Sequence, residues 1–292
     1  MTPVFWKGRD VPSGAFRGTV HSVFRRACNL LDDEGRLWAL LDPELPRTAW
    51  SVRLPFPFAE RLEPGMSFAG DGRTLSIPSA GLAADLASAR SWQADFLPTG
   101  GGPVSVDARR RLLGLAGAAG WPGLCVLFAP DADQPDRNVL DAVVFARFVE
   151  GRERLTDAAR RGSVPEAVAA ARSFLGLGVG LTPAGDDFTG GFLAGLRVGA
   201  DGEARRAFAE AFGAELLPHV APSTNRIAAA YLVHACAGSF SETVAGLART
   251  LQHGCSGPEL DRRVRALLAF GATSGADTLA GLLASFACGG AS

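Results

Sequence analysis

Lysine is nearly missing from this chain: Lys7 is the only one in 292 residues, and arginine carries almost all the positive charge. No Gly-Lys-Ser/Thr can therefore close a Walker-type phosphate loop. The arginine excess, alongside abundant Ala and Gly, reads as genome composition bias rather than phosphate recognition. A formal net charge of −1 removes any global pull toward nucleic acid or an anionic membrane. The histidines (His21, His219, His234, His253) form no His-x-x-x-His or His-Glu-x-x-His pair, which argues against a zinc site. No Gly-x-Ser-x-Gly elbow is present to signal a nucleophilic serine. Cys28, Cys125, Cys236, Cys255 and Cys288 lie scattered, without metal-ligand or disulfide-framework spacing, as suits a reducing compartment. No apolar run reaches the ~18–20 residues of a membrane span, and the start Met-Thr-Pro-Val-Phe-Trp-Lys shows no signal-peptide core. The expectation is a soluble cytoplasmic protein.

What is present is enough apolar residue, 47%, for a sizeable core and two domains. Short runs such as Thr19–Phe24 and Leu37–Leu41, bounded by Gly, Asp and Pro, read as strands. Further runs at 49–54, 66–69 and 74–77 suggest a small barrel or sandwich. Residues 81–96 suit an amphipathic helix, and 106–119 another. Trp121–Pro130 contains an expected buried strand, followed by a turn at 131–137. Beyond that the pattern is helix after helix: 138–160, 164–175, 187–199, 202–216, 223–237, 241–252, 257–270 and 275–287. The fold class is α+β. The expected parts are a β-rich 1–80, a mixed 81–137 and a helical 138–292.

The feature hardest to explain as plain core or surface is Gly176–Gly191, which reads Gly-Leu-Gly-Val-Gly-Leu-Thr-Pro-Ala-Gly-Asp-Asp-Phe-Thr-Gly-Gly. Gly176, Gly178 and Gly180 permit positive φ and close approach to a ligand. Thr182, Pro183 and Gly185 then lead to Asp186 and Asp187, where a helix N-cap belongs. Free N–H groups beside the positive end of a helix dipole hold phosphate or carboxylate. Two carboxylates there would repel a bare phosphate, so Asp186 and Asp187 are candidate Mg²⁺ ligands.

Two later segments echo it. Gly271–Gly281 places Ser274, Gly275 and Asp277 before Gly281, as Asp187 precedes Gly191. Residues i and i+4 share a helix face, so each glycine could admit a neighbouring helix behind its aspartate. Ser274 or Asp277 would cap that helix. Ser223, Thr224, Asn225 and Arg226 form a third polar helix start, with Ser223 or Thr224 as cap. Arg226 is unfavourable in a first turn unless it faces an anion or is simply solvated. Convergence of the three starts would put hydroxyls, acids and one arginine around one pocket.

The Gly176–Asp187 motif resembles the hallmark Gly-x-Gly-x-Gly-Leu-Thr-Pro-x-Gly-Asp-Asp of a bacterial family first described as a domain of unknown function. Ser274-Gly275-x-Asp277 and Ser223-Thr224-Asn225 resemble that family's two later segments. The likeness runs over most of the chain and is firmest after 170. Its members are assigned as a subunit of oxamate carbamoyltransferase, in anaerobic allantoin degradation. That enzyme interconverts oxalurate and phosphate with oxamate and carbamoyl phosphate, and works with two further subunits. The resemblance implies a carbamoyltransferase subunit acting on small anions, with Asp186, Asp187 and Asp277 as candidate catalytic groups. The Ser-x-Arg-Thr loop of aspartate and ornithine transcarbamylases is absent, so their fold is not implied. Two other classes fit the residues: a non-catalytic docking subunit, and a stand-alone Mg²⁺-dependent phosphoryl-handling enzyme.

Overall fold

A computed structural model describes residues 1–94, 96–129, 139–199, 202–254 and 257–288. The turn expected at 131–137 and Cys255 lie outside these. The chain divides into two compact units, Met1–Asp95 and Phe96–Ser292.

The first unit is β throughout, apart from a 3-10 turn at Pro78–Ala80 and one α-helical turn. Its strands are β1 (Thr2–Pro3), β2 (Trp6–Gly8), β3 (Phe16–Val23), β4 (Ala27–Asp32), β5 (Leu37–Leu41), β6 (Ser51–Arg53), β7 (Ser67–Gly70), β8 (Thr74–Ile77), β9 (Leu82–Asp85) and β10 (Arg90–Trp92); the turn is α1 (Phe58–Arg61). They form one sheet in the order β1-β9-β8-β7-β3-β4-β5-β6-β2-β10. Its opposite ends are consecutive in the chain, β1 beside β2 and β9 beside β10. Links of a few residues cannot span an open ten-stranded sheet, so the sheet curls on itself. Leu30, Leu40, Leu75, Ile77 and Leu82 are fully buried. Trp38 packs edge-on against Phe16 and Phe68, with ring centroids 5.4 and 5.5 Å away.

The helix expected over 81–96 is instead β9 and β10. Leu82 and Ala84 are buried while Ala83 is exposed, a period of two. Pairing with β8 and β1 decides this, because strand formation depends more on neighbours than on local propensity.

The second unit is helical: α2 (Val106–Ala118), α3 (Val139–Arg161), α4 (Val164–Arg172), α5 (Ala184–Val198), α6 (Glu203–Ser223), α7 (Arg226–Cys236), α8 (Glu242–Gln252), α9 (Pro258–Leu268) and α10 (Ser274–Phe286). The strand expected within 121–130 is a 3-10 turn, Gly123–Phe128. A short apolar run does not by itself separate a strand from a buried helical turn. Helix α6 also outlasts its expected end at 216, running through Pro218 and Pro222. Leu216 and Val220, both fully buried, hold this stretch against the core.

The centre of this unit is the pair α5 and α10. A Cβ on Gly191 would lie 1.9 Å from the Thr278 carbonyl oxygen, and one on Gly281 would lie 1.9 Å from that of Phe188. Further along, a Cβ on Gly195 would meet the Ser285 hydroxyl at 2.0 Å. Contacts that advance together along both helices mean that α5 and α10 run side by side in the same direction. Their N-termini therefore open at one end of the unit.

Candidate functional site

The two helix starts repeat one construction. The Gly185 N–H donates to the Leu177 carbonyl at 2.9 Å, and the Gly275 N–H donates to that of Phe270 at 3.0 Å. A Cβ on Gly185 would strike the Phe174 carbonyl at 1.8 Å, and one on Gly275 that of Leu267 at 1.7 Å. Each incoming helix thus passes directly under the next one's second residue. The sequence echo is a structural repeat, and each glycine four residues after its aspartate admits the partner helix as expected.

The aspartates themselves are not caps. Pro183 holds the N-cap position of α5, which places Asp186 and Asp187 inside the first turn. Thr273 holds that of α10, with no side-chain cap bond, so neither Ser274 nor Asp277 caps it. At α7 the cap is Asn225, not Ser223 or Thr224. Its side chain accepts from the Ile227 and Ala228 N–H groups and donates to the Leu181 carbonyl at 3.0 Å. Ser223 ends α6, and its carbonyl oxygen would stand 2.2 Å from a Cβ on Gly176.

The three starts do meet. Asp186 accepts the Gly176 N–H at 2.8 Å on one oxygen and the Thr224 hydroxyl at 2.5 Å on the other. Thr182 and Ser274 share a hydroxyl–hydroxyl bond of 2.8 Å between the two loops. Asp277 accepts the Leu124 N–H at 2.7 Å. Asp187 differs, because its Oδ2 is buried with no hydrogen-bond partner. Arg226, the first residue of α7, is exposed.

Burial sets the protonation of all three acids. It pushes Asp187 up to about 8; the Ser274 and Thr182 hydroxyls pull it partway back, and the charges of Asp277 and Asp186 add to the rise. Burial also raises Asp186, opposed by its bonds from Thr224 and Gly176. Asp277 is raised for the same reason, opposed by Leu124 and Thr273. At neutral pH Asp187 is therefore mainly a neutral acid, and it need not repel an anion. Burial raises Tyr231 on α7 to about 12, with a contribution from the Asp187 charge, which makes it a further neighbour of the site.

The glycine loop is open in the required sense. Gly176 has φ 72° and Gly178 φ 123°, values that disfavour any side chain. Among the described residues, the N–H groups of Gly178, Val179, Gly180, Leu181 and Thr182 make no hydrogen bond to protein. A run of free backbone donors beside two helix N-termini can receive an oxyanion. Among the described residues, no group of three or more His, Cys, Asp or Glu is arranged to hold a metal ion.

Sequence reasoning missed Leu124 and Tyr231. Leu124 acts through its N–H, which no residue type advertises. Tyr231 sat within a helical apolar pattern.

A loop of free backbone donors, a repeated helix start and an acid with an unpartnered buried oxygen thus meet at one end of the helical unit. Two family models place the chain. Residues 174–286 match the oxamate carbamoyltransferase subunit AllH, and residues 7–91 match the AllH family N-terminal domain. The chain belongs to the AllH family. None of the curated proteins and none of the solved structures matches it. Among the described residues, no helix is long and apolar enough to cross a membrane.

Proposed function

We propose that the junction of the α5, α7 and α10 starts is the substrate site of a carbamoyltransferase subunit, with Asp187 as its proton-carrying acid. The observation that carries this is the buried Asp187 Oδ2, which has no protein partner where every neighbouring acid is satisfied. The free N–H groups of Gly178–Thr182 would receive the phosphate of carbamoyl phosphate, and Arg226 the carboxylate of an acceptor such as oxamate. In the forward transfer the acceptor nitrogen bonds to the carbamoyl carbon and the C–O bond to phosphate breaks. The nitrogen proton passes to the Asp187 carboxylate. In the reverse direction phosphate attacks that carbon, and protonated Asp187 returns its proton to the leaving nitrogen. A neutral acid with its pKa near operating pH suits this exchange. Fixed N–H donors would also stabilise charge developing on the carbonyl oxygen.

The family description names a subunit, and the exposed tip of the loop suits one. Val179 is 95% and Leu181 52% exposed, apolar groups directly beside the free donors. A partner subunit, one of two by the family's pattern, would cover this tip and exclude water from the site.

The test is a thermal-shift titration of the full chain with carbamoyl phosphate, phosphate and oxamate, with and without Mg²⁺, on wild type and Asp187→Asn. Ligand binding raises apparent stability by mass action. A shift with phosphate ligands that Asp187→Asn weakens, without need of Mg²⁺, supports this reading. A strict Mg²⁺ requirement would make Asp186 and Asp187 metal ligands instead. No shift with the chain alone, followed by turnover with partner subunits that Asp187→Asn leaves intact, sinks the proposal.

A further inference from the structure

At the far end of the same helix pair lies a cavity of about 250 Å³ whose wall carries Arg109, Arg160, Arg161 and Arg205, with Leu196 and Phe208 among its apolar residues. It is bounded by the C-terminal ends of α5 and α10, and so lies at the end of the pair opposite Asp187. Two of the arginines have acidic partners: Arg160 bonds Asp157 at 2.5 Å, and Arg161 bonds Glu166. The other two have none within salt-bridge reach among the described residues. Arg109 donates to the Val104 and Phe286 carbonyls, both at 3.0 Å, and lies 5.6 Å from the Phe286 ring centroid. Arg205 donates to the Gly199 carbonyl at 3.4 Å and to that of Cys288.

The charge balance is uneven. Four guanidiniums face two carboxylates; the C-termini of α3, α5 and α10 supply roughly −0.5 each, and the N-termini of α2 and α6 roughly +0.5 each. More than one positive charge remains beside an apolar wall. Arg109 and Arg205 are also held in place by their carbonyl bonds, so little side-chain freedom is lost when an anion arrives.

We propose that this cavity is a second ligand site, separate from the glycine loop, which takes a small organic anion. Its oxyanion head meets Arg109 and Arg205, and its apolar body lies against Leu196 and Phe208. The head chemistry is shared by carboxylates and phosphate esters. Bidentate guanidinium contacts serve both.

The experiment is calorimetric titration of the full chain at constant ionic strength with benzoate, phenyl phosphate, inorganic phosphate and the neutral benzyl alcohol. Four proteins are compared: wild type, Arg205→Gln, Ala204→Trp and Asp187→Asn. Ala204 is an exposed residue of the cavity wall, so the tryptophan fills the mouth and leaves the arginine–carbonyl bonds intact. The expected result is saturable binding of benzoate or phenyl phosphate, weakened at least about tenfold in Arg205→Gln and Ala204→Trp and unchanged in Asp187→Asn. Whichever of the two binds more tightly identifies the head. Absence of saturable binding overturns the proposal. So does binding that survives Ala204→Trp, and so does binding that Asp187→Asn abolishes, since that ligand sits at the glycine loop. Benzyl alcohol binding as well as benzoate also overturns it, because the arginines then contribute nothing.

Discussion

At the start of α10, Asp277 receives the Leu124 N–H at 2.7 Å and binds the Gly123–Phe128 turn to the helix; at the start of α5, Asp187 holds the matching place with one oxygen unpartnered. The two starts share the glycine two residues before the aspartate, the glycine four residues after it, and the carbonyl each first glycine passes. They differ in the loop between. Gly178–Pro183 stands where the second copy has only Gly271–Thr273, three residues fewer. The longer loop carries the free donors and turns Thr182 toward Ser274. One copy of the construction is spent on packing, and the other keeps a carboxyl oxygen without a partner. The same residue in the same local frame takes its role from what the rest of the chain brings to it.

The strongest way to break the comparison is to force the two copies apart. Gly191→Val and Gly281→Val each put side-chain atoms where a carbonyl oxygen sits 1.9 Å from the Cβ position. Each should cost about 3 kcal/mol or more in urea denaturation, beyond ordinary overpacking because backbone is the obstacle. A loss below about 1 kcal/mol would show that the helices are not locked as described.

Truncating the acids should separate their roles. Asp277→Ala leaves the Leu124 N–H buried and unpaired, at about 1–3 kcal/mol of stability. Asp187→Ala removes the unpartnered Oδ2 along with the carboxyl that the Ser274 and Thr182 hydroxyls meet, so its stability loss should be smaller, below about 1 kcal/mol. Its effect should fall on turnover with the partner subunits, by about a hundredfold or more. Equal stability losses in both variants would erase the distinction.

The smallest effect is on pH dependence. The Asp187 carboxyl stands at about 8 in the folded chain, against an ordinary 3.8. The folded state therefore holds its proton more tightly than the unfolded state. This group's favourable contribution is complete below pH 4 and is lost as pH rises through about 8. Denaturation at pH 7 and pH 9 should show wild type losing roughly 1–2 kcal/mol more than Asp187→Asn over that interval. Parallel profiles would mean that the carboxyl is ionised throughout.

Much of the helical unit was legible because its signals are local. The helices α8 and α9, expected over 241–252 and 257–270, and the glycines flanking Asp187 are all set by short stretches. The strands β9 and β10 were not, since their partners β1 and β2 lie some eighty residues earlier in the chain. The meeting of the three helix starts was legible, and the surroundings of each side chain were less so. Asp186 and Asp187 are adjacent and identical in type. Only the approach of Gly176 and Thr224, folded in from either side, satisfies the first and leaves the second with a free oxygen.

Gly191, Gly195 and Gly281 bring each helix against the backbone or hydroxyl of the other, so α5 and α10 form a single strut. At 1.5 Å per residue, Asp187 and Val198 stand about 16 Å apart along it. Its two ends therefore carry the chain's two anion-facing features, the glycine loop at one and the arginine-lined cavity at the other.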